Sequence, residues 1–541
     1  MMLTWIKKEK FRLTLCLIAG VGLFFRVWGM WFGLPFLLHP DEPIFVEKAM
    51  FFSTGSLNPH WFGHPGNNLM YILLFEFIGY YFFGRFFNWF DNVEVFRDHF
   101  LADPTVFYFL GRSVGVLTGT LSVVAIGYLS KRLVNERVGI ISAVFLAVNP
   151  LCIMHSKYIR TDILGTFFII TAIYYALKFW DSRRRMFVII SSIAIGMAAA
   201  SKYVFATVGI VILLLTYFLG TESPESFLPK YRQKNSHWKF FLMNCLVIVI
   251  SFFMVTPFFF LDFKKAYQDI VIESSATHLG AGSLPLLHNY WWYIFDVLLK
   301  DFGLPILIGA GLGLFLSVRN IERRTILILV FPVVFFLFIG AVRLKWDRWI
   351  IPIIPFVGLY AAIALDYFLK GTFLCLSKIV KKQKNMIAIQ LPMLIILLTL
   401  FVFHPLKESI AINRKTCFPD TRQICTEWIK QHIPEGKFAQ EWYTFQPSPR
   451  YAYFRGEYQI EKYIILQEFS IANKTLEYYR VKGFTHVIIS SSLYNRYFRE
   501  AERYPQEEQF YRSLFARVPL KTFEFIDNEV TGPNIAIYSI D

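Results

Sequence analysis

The chain is poor in charge, in acid and in cysteine: 17% of its 541 residues are charged, 39 are Asp or Glu, and six are Cys. Hydrophobic residues make up 55% and aromatic residues 18%, too greasy a composition for one ordinary soluble core. No internal repeat, low-complexity tract or glycine-rich phosphate loop is present. A small-residue cleavage site is also missing after the apolar run Leu13–Leu38, which follows Lys7, Lys8, Lys10 and Arg12 and is much longer than a signal-peptide core. That run reads as a retained first membrane span.

The shortage of acid leaves a formal charge of +16. Its distribution makes nucleic acid unnecessary as a partner, because the basic residues cluster in short loops between apolar runs: "SKRLVNER", "KFWDSRRR", "PKYRQKNSHWK", "RNIERR" and "SKIVKKQKN". The positive-inside rule puts these loops and the N-terminus in the cytoplasm. Spans are then expected near 13–33, 107–129, 138–156, 163–180, 186–202, 204–220, 240–260, 301–318, 325–342, 349–370 and 387–404, about eleven in all. The apolar stretch from Leu69 to Phe90 is expected to lie in the interface or to re-enter, since a single crossing there would invert every later basic loop. With that topology 34–106, 156–162, the neighbourhood of 202, 262–300, 342–349 and 405–541 face outward, as in a bacterial inner-membrane protein with a periplasmic tail.

Domain 1–404 is thus a membrane domain, and 405–541 a small soluble α/β domain. In the tail, "DTRQICTEWIKQHIPEG" predicts an amphipathic helix closed by Pro434 and Gly436, while "HVIISSS" and "NIAIYSI" predict strands. Cys16, Cys152, Cys245 and Cys375 lie in or beside spans and read as packing residues. Cys417 and Cys425 share the tail, where their spacing permits a disulfide.

The first outward loop carries "LLHPDEPIFVEKAM", with Asp41 and Glu42 side by side between prolines. A helix cap needs one such carboxylate, and two pressed together repel, so a polar, basic or substrate-filled surrounding is expected. An ionised aspartate at a helix start is also a general base for a nucleophile's proton. His39, His60 and His64 share the loop, which admits a divalent metal, although their spacing is no recognised ligand motif. Lipid phosphate charge can be met by Lys and Arg without one.

The order of Arg26, His39-Pro40-Asp41-Glu42, Ala49, Gly55, His64-Pro65 and Tyr71, followed by "GRSVGVLTGTLSVVAIGYLSKRL", "HSKYIRTDILGTFF", "GMAAASKYVF" and "VRLKWDRWIIPIIPFVGLYAA", resembles the bacterial branch of the protein O-mannosyltransferase superfamily. That group includes the aminoarabinose transferase of lipid A and other polyprenyl-phosphate-sugar enzymes of the GT-C fold. The resemblance covers roughly residues 10 to 405 and departs from the common pattern at "HPGNN", where relatives often carry Pro-Pro. It implies a polytopic α-helical GT-C glycosyltransferase that moves a sugar from a polyprenyl-phosphate donor to a lipid, glycan or protein acceptor, with no cofactor required.

Asp41 is then the base and Glu42 the residue orienting acceptor or sugar. Lys202, Arg343, Lys345, Arg348 and Arg160 are the cations for the departing phosphate, each at an outward span end. Asp162 supports a cation or a sugar hydroxyl, and Tyr203 and His64 contact substrate. One displacement without an enzyme nucleophile inverts the anomeric centre. A lipid-sugar transporter is the competing class, but such proteins place ionisable groups at mid-membrane and show repeats or broken helices. A non-catalytic assembly subunit leaves Asp41 and Glu42 without a purpose.

Overall fold

Helices dominate the computed structural model, which describes residues 2–63, 66–221, 236–273, 286–319, 321–342, 344–379 and 383–540. Among the described residues nine helices are long and apolar enough to cross a membrane, ten if the bent pair Glu136–Ala147 and Pro150–Ser156 is one span. The protein is an integral membrane protein. Helix is found in each of the eleven expected spans, and two ends differ from the hydropathy reading. The first helix, Met2–Val27, stops well before the apolar run does, because Gly29 (φ 79°) and Gly33 (φ 73°) are left-handed and Pro35 follows. The last, Gln383–Lys415, continues past His404 despite Pro392 and Pro405.

The aromatic stretch expected to lie flat or to re-enter forms one unbroken helix, Asn67–Phe86. Its two glycines do not break it, so a re-entrant turn is not what these residues build. By length and composition the helix also suffices for a crossing.

The described residues divide into two compact units, one made of 1–28, 44–80 and 110–410, the other of 29–43, 81–109 and 411–541. In the first, the 60° bend between Glu136–Ala147 and Pro150–Ser156 comes from Asn149-Pro150. Buried Arg26 donates to the Leu146 and Ala147 carbonyls at 3.2 Å, satisfying acceptors that the bend takes from the helix ladder. Asp301 accepts from the Leu151 amide at 2.8 Å and from the Asn149 side chain, fixing the start of the second half.

In the second unit six strands form one sheet: β1 (Gly436–Glu441), β2 (Gly456–Ile460), β3 (Tyr463–Glu468), β4 (His486–Ser490), β5 (Lys521–Phe523) and β6 (Ile535–Ser539), in the order β2-β3-β1-β4-β6-β5. The central strands β3, β1 and β4 are parallel, with Phe438 opposite both Ile465 and His486, and β2, β5 and β6 pair antiparallel outside them. Alternate residues face opposite layers. Phe438, Ile465, Ile488 and Ile537 pack with Cys425 and Ile429 of the helix Thr421–His432, whereas Ala439, Val487, Ile489 and Tyr538 pack with Tyr497, Tyr511 and Leu514. The expected tail helix and two expected strands are among these elements. Cys417 is exposed and Cys425 buried, both as free thiols, so the disulfide their spacing permits is not formed.

Candidate active site

Two groups of the expected residues can be built up from the chain, one in each unit. In the first unit, the helix Arg185–Ser201 ends at Lys202, whose backbone is extended (φ −159°, ψ 124°) before the short turn of helix Tyr203–Gly209. The helix Thr161–Ser182 starts just after Arg160, also extended, so Asp162 falls in its first turn, where a carboxylate suits the helix dipole. Gly165 lets the two segments meet, since a Cβ there would stand 2.3 Å from the Phe205 ring. Asp162 is 3% exposed and accepts from Lys202 Nζ at 2.8 Å, with Arg160 Nε at 3.7 Å.

Arg348 also acts on Asp162, and its guanidinium lies over the Trp346 ring at 4.7 Å. Lys202 in turn lies 5.3 Å from the Trp349 ring centroid. Lys202, Arg160 and Arg348 therefore share one buried acidic partner. Lys345 points elsewhere, over the Trp292 ring at 5.3 Å. Tyr203 donates to the Phe62 carbonyl at 3.3 Å. His64 and Arg343 lie outside the described residues.

Two residues join this group that sequence reasoning did not choose. His155 is buried beside the group, within electrostatic range of Asp347, Arg160, Asp162 and Arg348, and neither ring nitrogen has a hydrogen-bond partner among the described residues. Asp347 accepts from the Arg348 amide at 2.7 Å. Both stand inside the quoted "HSKYIRTD" and "RLKWDRW". The available signal was polar residues surrounded by apolar spans.

Asp41 and Glu42 belong to the second unit. The helix begins at Glu42, which is completely buried, and Asp41 precedes it. His39 accepts the Asp41 amide on Nδ1 at 3.2 Å and its carbonyl accepts the Glu42 amide at 3.3 Å, so the two carboxylates sit on a local turn. The tail surrounds this segment. Arg422 donates to the Leu38 carbonyl at 2.7 Å, while Tyr443 and Tyr453 lie within electrostatic range of Asp41 and Glu42 respectively. Burial, reinforced by the neighbouring carboxylates, raises both phenols above their ordinary range, so they are neutral hydrogen-bond donors at any physiological pH.

Residues 109–258, which contain Arg160, Asp162 and Lys202, match the family of dolichyl-phosphate-mannose-protein mannosyltransferases. The whole chain is similar in fold to the ArnT of Cupriavidus metallidurans bound to undecaprenyl phosphate, at 15% identity and a TM-score of 0.55 over 96% of this chain and 97% of that one. The membrane part thus has the GT-C fold. An oligosaccharyltransferase of Archaeoglobus fulgidus tethered to an acceptor peptide shares the GT-C fold at 12% identity and a TM-score of 0.55, over 94% of this chain and 72% of that one. No curated protein matches the GT-C chain by sequence.

Proposed function

We propose that the protein is an inverting glycosyltransferase that moves a sugar from a polyprenyl-phosphate donor to a hydroxyl or amine acceptor on the outer side of the cytoplasmic membrane. The observation that carries this reading is the buried group of Lys202, Arg160 and Arg348 on Asp162, of which all but Arg348 lie in the stretch matching the mannosyltransferase family. Two proteins of the same fold bind such lipids, the Cupriavidus ArnT undecaprenyl phosphate and the Archaeoglobus oligosaccharyltransferase a dolichol-phosphate, which supports a donor of that class.

In the reaction, Asp41 takes the acceptor's proton as the nucleophile attacks the anomeric carbon, and Glu42 holds acceptor or sugar. The bond from the anomeric carbon to the phosphate oxygen breaks, and the lipid phosphate leaves with the electron pair. Lys202, Arg160 and Arg348 oppose the charge that develops on it, with Arg343 and Lys345 as further cations of the same stretch. Asp162 keeps Lys202 and Arg160 oriented. Tyr203 and His64 contact substrate. No metal is required for these steps, because the cations meet the phosphate charge.

The test is Asp41→Asn. Asn caps a helix about as well as Asp but cannot accept the proton. With purified protein and a polyprenyl-phosphate sugar, transfer should fall on the order of a hundredfold or more while the thermal midpoint stays at the wild-type value. An active Asp41→Asn protein sinks the mechanism and returns Asp41 to a capping role.

A further inference from the structure

The segment before Asp41 and Glu42 has no regular structure of its own: residues 28–36 form turns and 37–39 are irregular. Side chains of the tail take up its backbone carbonyls. Arg422 reaches Leu38 O at 2.7 Å, Gln446 reaches Leu37 O at 3.4 Å, and Gln423 reaches Gly33 O at 3.4 Å. Two of these donors come from the first turn of the helix Thr421–His432. There Asp420 caps the helix by accepting the Arg422 amide, and Gln423 returns a bond to the Asp420 amide at 3.1 Å.

The Arg422 guanidinium is spread across three acceptors. Its Nε and one terminal nitrogen hold the two Asp420 oxygens at 2.7 and 2.8 Å, and the other terminal nitrogen takes Leu38 O. Only a planar fork presents donors in these directions at once, and an ammonium cannot.

The exit of β1 comes close to the Asp41–Glu42 turn, where Tyr443 is within electrostatic range of both Asp41 and Arg422. β1 pairs in parallel with β3 on one edge and β4 on the other, so its carboxyl end is the switch point of the sheet, the place where open α/β sheets put their ligands. Two residues beyond it, Tyr443 is held at φ +62°, a left-handed conformation that a bulky residue rarely adopts and that clusters at functional sites. Tyr453 Oη is buried and has no hydrogen-bond partner among the described residues.

We infer that the tail is a working part of the reaction site, with Arg422 as the positioning residue that fixes the Asp41–Glu42 turn against the hydroxyls of Tyr443 and Tyr453. The inference rests on the assignment of Asp41 as base. Misplacing a reacting group by about 1 Å costs roughly a hundredfold in rate, and the Leu38 carbonyl is three residues from that base.

The experiment compares Arg422→Lys, Gln446→Leu and Asp41→Asn in the purified full-length protein. Amide hydrogen exchange is read at Asp41 and Glu42 and, as an internal control, in β1 and β4. Turnover is read as undecaprenyl phosphate released from undecaprenyl-phosphate-linked hexoses and pentoses, with a membrane glycolipid extract as acceptor. Arg422→Lys keeps the charge beside Asp420 and loses the second arm. It should speed exchange at Asp41 and Glu42 at least tenfold, leave β1 and β4 protected, and lower turnover about thirtyfold. Gln446→Leu should act in the same direction by a few-fold.

Unchanged exchange at Asp41 and Glu42, or faster exchange there with wild-type turnover, overturns the inference. Loss of protection throughout β1 and β4 in both variants overturns it too, because Arg422 and Gln446 would then only hold the tail together. Full activity in Asp41→Asn refutes the assignment of the base instead, and leaves the exchange result on Arg422 standing.

Discussion

At the scale of single residues the sharpest question is whether Lys202 serves the reaction or only reaches toward lipid head groups. A snorkelling lysine keeps its ammonium in water. Lys202 instead shares a 2.8 Å ion pair with Asp162, with side chains 18% and 4% exposed. Removing one partner of a buried pair leaves an uncompensated charge, at about 3–5 kcal/mol, whereas removing both is often nearly neutral. Lys202→Met should therefore lower the thermal midpoint and cut transfer about a hundredfold, the usual loss of one aimed donor. Lys202→Met with Asp162→Asn should recover the midpoint without recovering transfer. A single variant that is silent in both measurements makes Lys202 a lipid-facing residue. Arg160, Asp162, Lys202 and Arg348 were legible in the sequence because each adjoins the end of an apolar run, where charge is conspicuous. His155 and Arg422 were not. The charged neighbours of His155 come from separate segments of the chain, and Arg422 finds Leu38 across 384 residues.

At the scale of elements, the tail shows which strands a sequence announces. β4 and β6 are unbroken apolar runs and could be read directly. β1, "GKFAQE", looks too polar for the centre of a sheet, yet Gln440 and Glu441 are wholly buried there. The Gln440 amide nitrogen donates to Gln467 at 2.8 Å and to the Phe445 carbonyl, while Glu441 is held by the Tyr511 hydroxyl and by the Ser490 amide at 2.9 Å. Polar side chains that satisfy one another are invisible to a hydropathy pattern.

Burial pushes the Glu441 carboxyl up to about 8 from an ordinary 4.5. In the folded protein it therefore keeps a proton that the unfolded chain has already released. The stability this contributes is fully present below the unfolded value and is lost as pH rises through the folded one. Exchange protection of β1 and β4 should consequently weaken between pH 5 and about 8. Glu441→Gln cannot ionise, and should flatten that dependence. An equal loss of protection in the variant would assign the pH effect to another group.

At the scale of the whole molecule, span positions were legible because hydropathy and loop charge answer to the bilayer directly, whereas span number was not: about eleven were expected, and among the described residues nine or ten helices qualify, Asn67–Phe86 among them. Orientation is a further step, taken from the basic loops alone. An odd number of crossings places the tail outside when the N-terminus is inside, and this holds only if Asn67–Phe86 does not cross singly. The exposed thiol of Cys417 supplies a probe, since Cys425 and Cys152 are buried and Cys16 lies on the first helix, in the bilayer under this reading. In spheroplasts, an impermeant maleimide should label the wild type and fail to label Cys417→Ser. A cysteine placed at Ser182, beside the basic "SRRR" and in the Cys417→Ser background, should react only after lysis. The reverse pattern would turn the whole protein over, N-terminus included, and would move Asp41, Glu42 and the tail to the cytoplasmic side together, since an added crossing at Asn67–Phe86 alone would part Leu38 from Arg422. The donor would then have to present its sugar there, and the acceptor would be sought among cytoplasmic glycoconjugates.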